Sequence, residues 1–180
     1  VALFRQPDAP HWATPDDVQH KAYMITVDSP FTQPQKRWGS GDVIVTDVRI
    51  CNADGKEQHD FTTGETLRLC LRCKSTGAPV HNPMLRVLLT DSHGVLLHAT
   101  NSARAEVALG DVTEERAACL TYEQLHVLEG DYVLSVGAMP AGAVARRPYD
   151  WHDGAYRFHV HSSERDGAGI VNLPHHWTVV

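Results

Sequence analysis

From Val43 to Val160 the chain keeps a two-residue rhythm, and that rhythm excludes most folds. An extended strand points successive side chains to opposite faces, so alternate apolar residues bury one face while the other stays wet. Thr66 to Lys74 is the clearest case: Leu67, Leu69, Leu71 and Cys73 share one face, and Arg68, Cys70, Arg72 and Lys74 share the other. Val43 to Cys51 precedes it and closes in the turn Asn52-Ala53-Asp54-Gly55. Leu85 to Asp91 turns through Ser92-His93-Gly94 into Val95 to Asn101, the pattern of a hairpin. Ala117 to Tyr122, Asp131 to Ala138 and Ala155 to His161 continue the series, the last with Tyr156, Phe158 and Val160 inward. Roughly seven to nine short strands and almost no helical pattern predict an all-β fold, an antiparallel β-sandwich of immunoglobulin-like or jelly-roll type.

Residues 1–36 break the rhythm. Pro7, Pro10, Pro15, Pro30 and Pro34 exclude a long helix or a central strand there. Thr14-Pro15-Asp16-Asp17 joins a capping hydroxyl, a first-turn proline and two acids, which predicts a short helix from Pro15 to Tyr23. Met24 to Val27 would follow as an extended stretch. We expect 1–36 to be a linker or N-terminal extension and 37–180 to be one folded domain. Its entry is the segment Arg37-Trp38-Gly39-Ser40-Gly41-Asp42, read as a turn carrying one cation and one exposed aromatic.

Charge and motifs narrow the function. A net charge of −6 argues against a nucleic-acid partner or an anionic membrane surface. No apolar run approaches transmembrane length. The chain contains no phosphate-binding GxxxxGK[ST], no dinucleotide GxGxxG and no GxSxG, so no cofactor is expected. Cys51, Cys70, Cys73 and Cys119 all fall in predicted strands, and the CxxC pair Cys70 and Cys73 faces opposite ways. Reduced structural thiols in a cytosolic compartment are the expectation.

His159 and His161 share a strand face and could hold a metal between them, but no third ligand stands at a telling spacing, so no metal site is predicted. The carboxylates are scattered over strand ends and turns, where Asp commonly bonds its own backbone, and catalytic residues are not expected among them. Trp38, Tyr149 and Trp151 fall in segments read as turns or loops, where an exposed ring needs a partner such as the C–H face of a sugar. Arg86 lies opposite the inward Leu85, Val87 and Leu89, and either pairs locally or meets a polar or anionic ligand. His98, Asn101 and His152 add groups able to bond sugar hydroxyls, alongside Arg86.

In order along the chain, several segments resemble the C-terminal carbohydrate-binding domain of Wzt-type ABC transporter ATPases, which export O-antigen polysaccharide. They are Arg37 to Asp42, Phe61-Thr62-Thr63-Gly64-Glu65-Thr66-Leu67, Val80-His81-Asn82-Pro83, Asp91 to Val95, Thr100-Asn101, Leu128 to Gly137 and Gly169 to Trp177. The resemblance implies a non-catalytic domain that binds the often capped non-reducing end of an O-antigen glycan. It would act in the cytoplasm, peripheral to the inner membrane, reaching the transporter's membrane subunit through a parent ATPase. It also implies a homodimer that exchanges the C-terminal strand, with Gly169, Ile170, Val171, Leu173 and Trp177 in the exchanged segment. The candidate sugar-binding residues are then Trp38, Arg86, His98, Asn101, Tyr149, Trp151 and His152. Two other readings compete: a polysaccharide-acting enzyme domain, and a structural dimerisation module in which the sugar surface is incidental.

Overall fold

The computed structural model describes residues 36–142, 147–163 and 167–179. The predicted helix at Pro15 to Tyr23 and the extended stretch after it lie outside these residues. The described chain forms nine strands in two sheets and contains no helix.

The strands are β1 (Lys36–Trp38), β2 (Val43–Cys51), β3 (Asp60–Thr62), β4 (Leu67–Ser75), β5 (Met84–Asp91), β6 (Leu96–Asn101), β7 (Arg116–Tyr122), β8 (Gly130–Met139) and β9 (Asp150–His161). The larger sheet runs β1-β9-β8-β5-β6, with β3 added parallel to the far half of β9. The smaller sheet is β2-β4-β7, antiparallel throughout. Turn chemistry fixes the connections. Gly55, Gly64 and Gly94 all take positive φ, and the Asp91 carboxylate accepts the amides of His93 and Val95 to tie the β5–β6 turn.

The two sheets bury one core between them. Leu67, Leu69, Leu71 and Cys73 of β4 face Leu85, Val87 and Leu89 of β5 and Tyr132, Leu134 and Val136 of β8, all almost fully buried. A bulge in β2 between Val45 and Asp47 shifts its phase, so Val43 and Val45 point inward before it and Ile50 after it. At one end Phe61 meets Phe158 edge-on and Tyr132 stacks on Phe158, closing the core with aromatic rings. Tyr132 then donates its hydroxyl hydrogen to the Leu128 carbonyl at 2.8 Å, which satisfies its buried polar tip.

Cysteine chemistry departs from expectation. Cys70 and Cys119 are register partners on β4 and β7, on the outward face of the smaller sheet, and they form a disulfide. Cys51 and Cys73 are free and buried. CxxC spacing separates Cys70 from Cys73, as the alternation requires, but strand pairing places Cys70 beside a cysteine 49 residues away. The thiol argument for a reducing compartment therefore falls away.

Candidate functional site

The outward face of the larger sheet is not an ordinary wet face. Every residue of β8 from Tyr132 to Met139 is buried, including the outward-facing Val133, Ser135 and Met139. Above this strand lies a second apolar cluster, separate from the main core: Met84, Met139 and Trp151, with half-buried Trp38 and Leu88 packed against it. Strand pairing assembles it. Trp38 of β1 pairs with Trp151 of β9, Trp151 with Gly137 of β8, and Met139 with Met84 of β5. Gly137 is what lets the indole lie across the sheet. A Cβ there would collide with the Asp150 carbonyl oxygen and come within 2.6 Å of Trp151 Cε3.

Met84 also lines an open groove of about 520 Å³ that continues the cluster toward the sheet edge. Its other walls include Arg86 of β5, Asn101 of β6 and Arg104 in the loop beyond. Arg86 and Asn101 are register partners, so both project outward side by side. The Asn101 carboxamide oxygen accepts the Arg104 amide at 2.9 Å, which shapes that loop. Farther along the same face is Arg157, whose Nε is buried without a hydrogen-bond partner. Sheet alternation thus gathers Trp38, Trp151, Arg86 and Asn101 onto one surface.

Trp38 and Trp151 sit in strands, not in the turns or loops expected of them, because β1 adds an edge to a β9 that starts at Asp150. Trp151 is only 8% exposed, so it serves mainly as floor, with Trp38 beside it.

Three of the sequence candidates lie elsewhere. Tyr149 packs against the main core, and its backbone carbonyl accepts the Gly41 amide at 2.8 Å. His98 stands on the other face of β6 and meets the Tyr122 hydroxyl across the sandwich opening at 3.0 Å. Burial pushes the Tyr122 phenol up to about 12, so it stays protonated as a partner for that imidazole.

His152 is 4% exposed and belongs to an internal network. Its Nδ1 lies 2.7 Å from the Tyr156 hydroxyl, and its Nε2 lies 3.3 Å from Asp150. Asp150 also takes both Arg37 Nε and Nη2 at 2.8 and 2.7 Å, and the Val45 amide at 2.7 Å. The Arg37 guanidinium donates once more, to the Val45 carbonyl. Arg37, the cation of the entry segment, is therefore a clamp between β1, β9 and β2. Burial alone would raise the Asp150 carboxyl, but the His152 and Arg37 hydrogen bonds outweigh it and hold the group below its ordinary 3.8. Burial drives the Tyr156 phenol upward.

His159 and His161 share a face as read from the sequence, with rings 4.5 Å apart. His159 bonds Asp131 at 2.8 Å, and among the described residues no group of three or more side chains is placed to hold a metal. Among the described residues of the C-terminal segment, only Val171 forms a bridge, to Val127, flanked by the Leu128 amide to the Ile170 carbonyl and the Asn172 amide to the His126 carbonyl. Leu173 and Trp177 are 73% and 94% exposed.

The contributors that sequence reading missed are Met84, Met139, Gly137 and Arg104. A signal was present for the first. In Met84-Leu85-Arg86-Val87-Leu88-Leu89 the outward positions are Met, Arg and Leu, more apolar than a solvated face requires.

These features define a β-sandwich module whose most developed surface joins an aromatic floor to an arginine-lined groove on one sheet face. The profile of the Wzt C-terminal domain family matches residues 34–173, and the chain belongs to that family, associated with O-antigen ABC transporters. The crystal structure of the C-terminal domain of Wzt is similar to it at 20% identity and a TM-score of 0.72, covering 84% of this chain and 93% of that one. An alkylpurine DNA glycosylase from Pseudomonas fluorescens, bound to DNA with an abasic-site analogue, is similar at 15% identity and a TM-score of 0.42, covering 67% of this chain and 31% of that one. A β-glucosidase from Listeria innocua in complex with glucose is similar at 13% identity and a TM-score of 0.41, covering 83% of this chain and 20% of that one. No curated protein sequence matches it.

Proposed function

We propose that this domain is a non-catalytic carbohydrate-recognition module that binds the capped non-reducing end of an O-antigen glycan and so commits it to export. The observation that carries this reading is the continuity of the Trp38–Trp151–Met84 cluster with the groove of Arg86 and Asn101. A pyranose has apolar C–H faces and a polar rim, and this surface offers a matching sequence of aromatic, thioether, amide and guanidinium groups. Such a site binds modestly, because sugar hydroxyls exchange water for protein partners at little net gain.

The family places the domain with an ABC transporter. In this reading it reaches the membrane subunit through an ATPase, on the cytoplasmic side, and works as a homodimer. The exposed Ile170, Val171, Leu173 and Trp177 are the apolar surface that a second copy would cover. Isothermal titration with matched capped and uncapped glycans tests the binding. Saturable heat with the capped chain, reduced in Trp38→Ala and Asn101→Ala, is expected. No heat from a folded protein would overturn the reading.

A further inference from the structure

The outward face of the smaller sheet carries chemistry that the glycan reading does not use. The Cys70–Cys119 disulfide lies there, joining the central strand β4 to the edge strand β7. Cys119 is exposed, and its outward neighbours along β7 are the small residues Ala117 and Thr121, which leave its sulfur open to solvent on that side. Cys70 is half-buried and sits among guanidiniums. Arg68 and Arg72 flank it along β4, and Arg49 is its register partner on β2. Lys74, one step farther along β4, adds a fourth cation to the face. Among the described residues, the acids that engage these cations are Asp47, shared by Arg49 and Arg72, and Glu115, bonded to Arg72 at 2.9 Å. Arg68 has no acid partner among them; its Nη1 donates to the Ala53 carbonyl at 3.5 Å. In a chain of net charge −6 the disulfide thus stands in a locally cationic patch.

We propose that Cys70–Cys119 is a thiol–disulfide exchange site for small anionic thiols, the class of glutathione, a tripeptide whose carboxylates outnumber its ammonium. The incoming thiolate attacks Cys119 Sγ, the open end, and a mixed disulfide forms there. The bond between Cys70 and Cys119 breaks, and its electron pair leaves on Cys70 Sγ as a thiolate. This step involves no net oxidation, because one disulfide is exchanged for another. A second small thiolate then attacks the mixed disulfide and releases Cys119 as a thiolate, so the two small thiols are oxidised as the protein disulfide is reduced. The guanidiniums act at both ends of the exchange. They draw the anionic thiol to the face, and they offset the charge that collects on Cys70.

The test treats the full chain, purified without reductant, with glutathione, neutral 2-mercaptoethanol and cationic cysteamine. Each rate is divided by that of the same thiol on hydroxyethyl disulfide, which removes differences in intrinsic reactivity. Acid quenching, alkylation and peptide mass mapping then locate the adduct. Glutathione is expected on Cys119 with Cys70 freed. Its normalised rate should exceed that of cysteamine about tenfold or more at low salt, with the advantage shrinking as salt is raised. R68Q should cut that advantage several-fold while slowing 2-mercaptoethanol less, and R49Q serves as the second variant should R68Q fold poorly. Equal normalised rates for the three thiols would overturn selection by charge. An adduct confined to Cys70, or a folded protein whose disulfide resists glutathione, would refute the site. Each of these outcomes leaves the glycan reading untouched, because that surface lies on the other sheet.

Discussion

Asp150 ties β9 to β1 and β2 at once, and losing its charge strands the Arg37 guanidinium and the Val45 amide inside the sandwich. Asp150→Ala should therefore cost roughly 3–5 kcal/mol, the usual cost of breaking a buried pair from one side, read as a lower urea midpoint at pH 7. The pH dependence has a defined sign. The folded-state carboxyl titrates below its ordinary 3.8, so its contribution is whole above that value and is lost as pH falls through the folded value. The gap in stability between wild type and Asp150→Ala should accordingly narrow in acid; a gap that widened would contradict the network. Gly137→Ala is a second residue-scale test, because its methyl would meet the Asp150 carbonyl and Trp151. A loss of about 1–3 kcal/mol with altered tryptophan fluorescence is expected. None of this was readable in advance. Arg37, Asp150 and His152 looked like an entry turn and a loop, since residue type says nothing about a partner 113 positions away.

Elements differ sharply in how well the sequence announced them. The strands β2, β4, β5 and β8 follow their expected spans closely, because each is an extended, largely apolar run of eight residues or more bounded by turn residues. Three-residue strands β1 and β3 carry no period at all and exist only because β9 offers them an edge. The first half of β9 was hidden for another reason: its pairing with β8 shifts register, and Gly154 with φ of 57° lies in that irregular stretch while the strand continues. Trp38 and Trp151 thus lie in paired strands and not in the turn and loop expected of them. Pairing also explains the cysteines, since β4 and β7 bring Cys70 to Cys119 only once their register is set. Alkylation of the denatured, unreduced protein should label Cys51 and Cys73 alone. A Cys70→Ser, Cys119→Ser variant should lose about 2–4 kcal/mol and become insensitive to reductant. Labelling of all the cysteines without reductant would contradict the pairing.

At the scale of the whole molecule, the main core holds the two sheets together, while the outward face of the larger one carries a second apolar cluster. That division was half visible. Trp38, Trp151, Arg86 and Asn101 come together as one surface, whereas Tyr149, His98 and His152 turn to packing and internal bonding. Face assignment depends on register and bulges, and a single residue of shift sends a side chain to the other side. The C-terminal segment belongs to this scale too: removing 169–180 should convert a dimer into a monomer of lower solubility by light scattering, and a soluble folded monomer would refute strand exchange. Carbohydrate recognition by the outward face is the role proposed for this domain. Its most direct test is titration of the full chain with a capped O-antigen glycan alongside its uncapped counterpart, repeated with Trp38→Ala. Saturable binding that favours the capped chain and is weakened by the substitution is the predicted result. An intact fold that binds neither glycan, or binds both equally with and without Trp38, would contradict it.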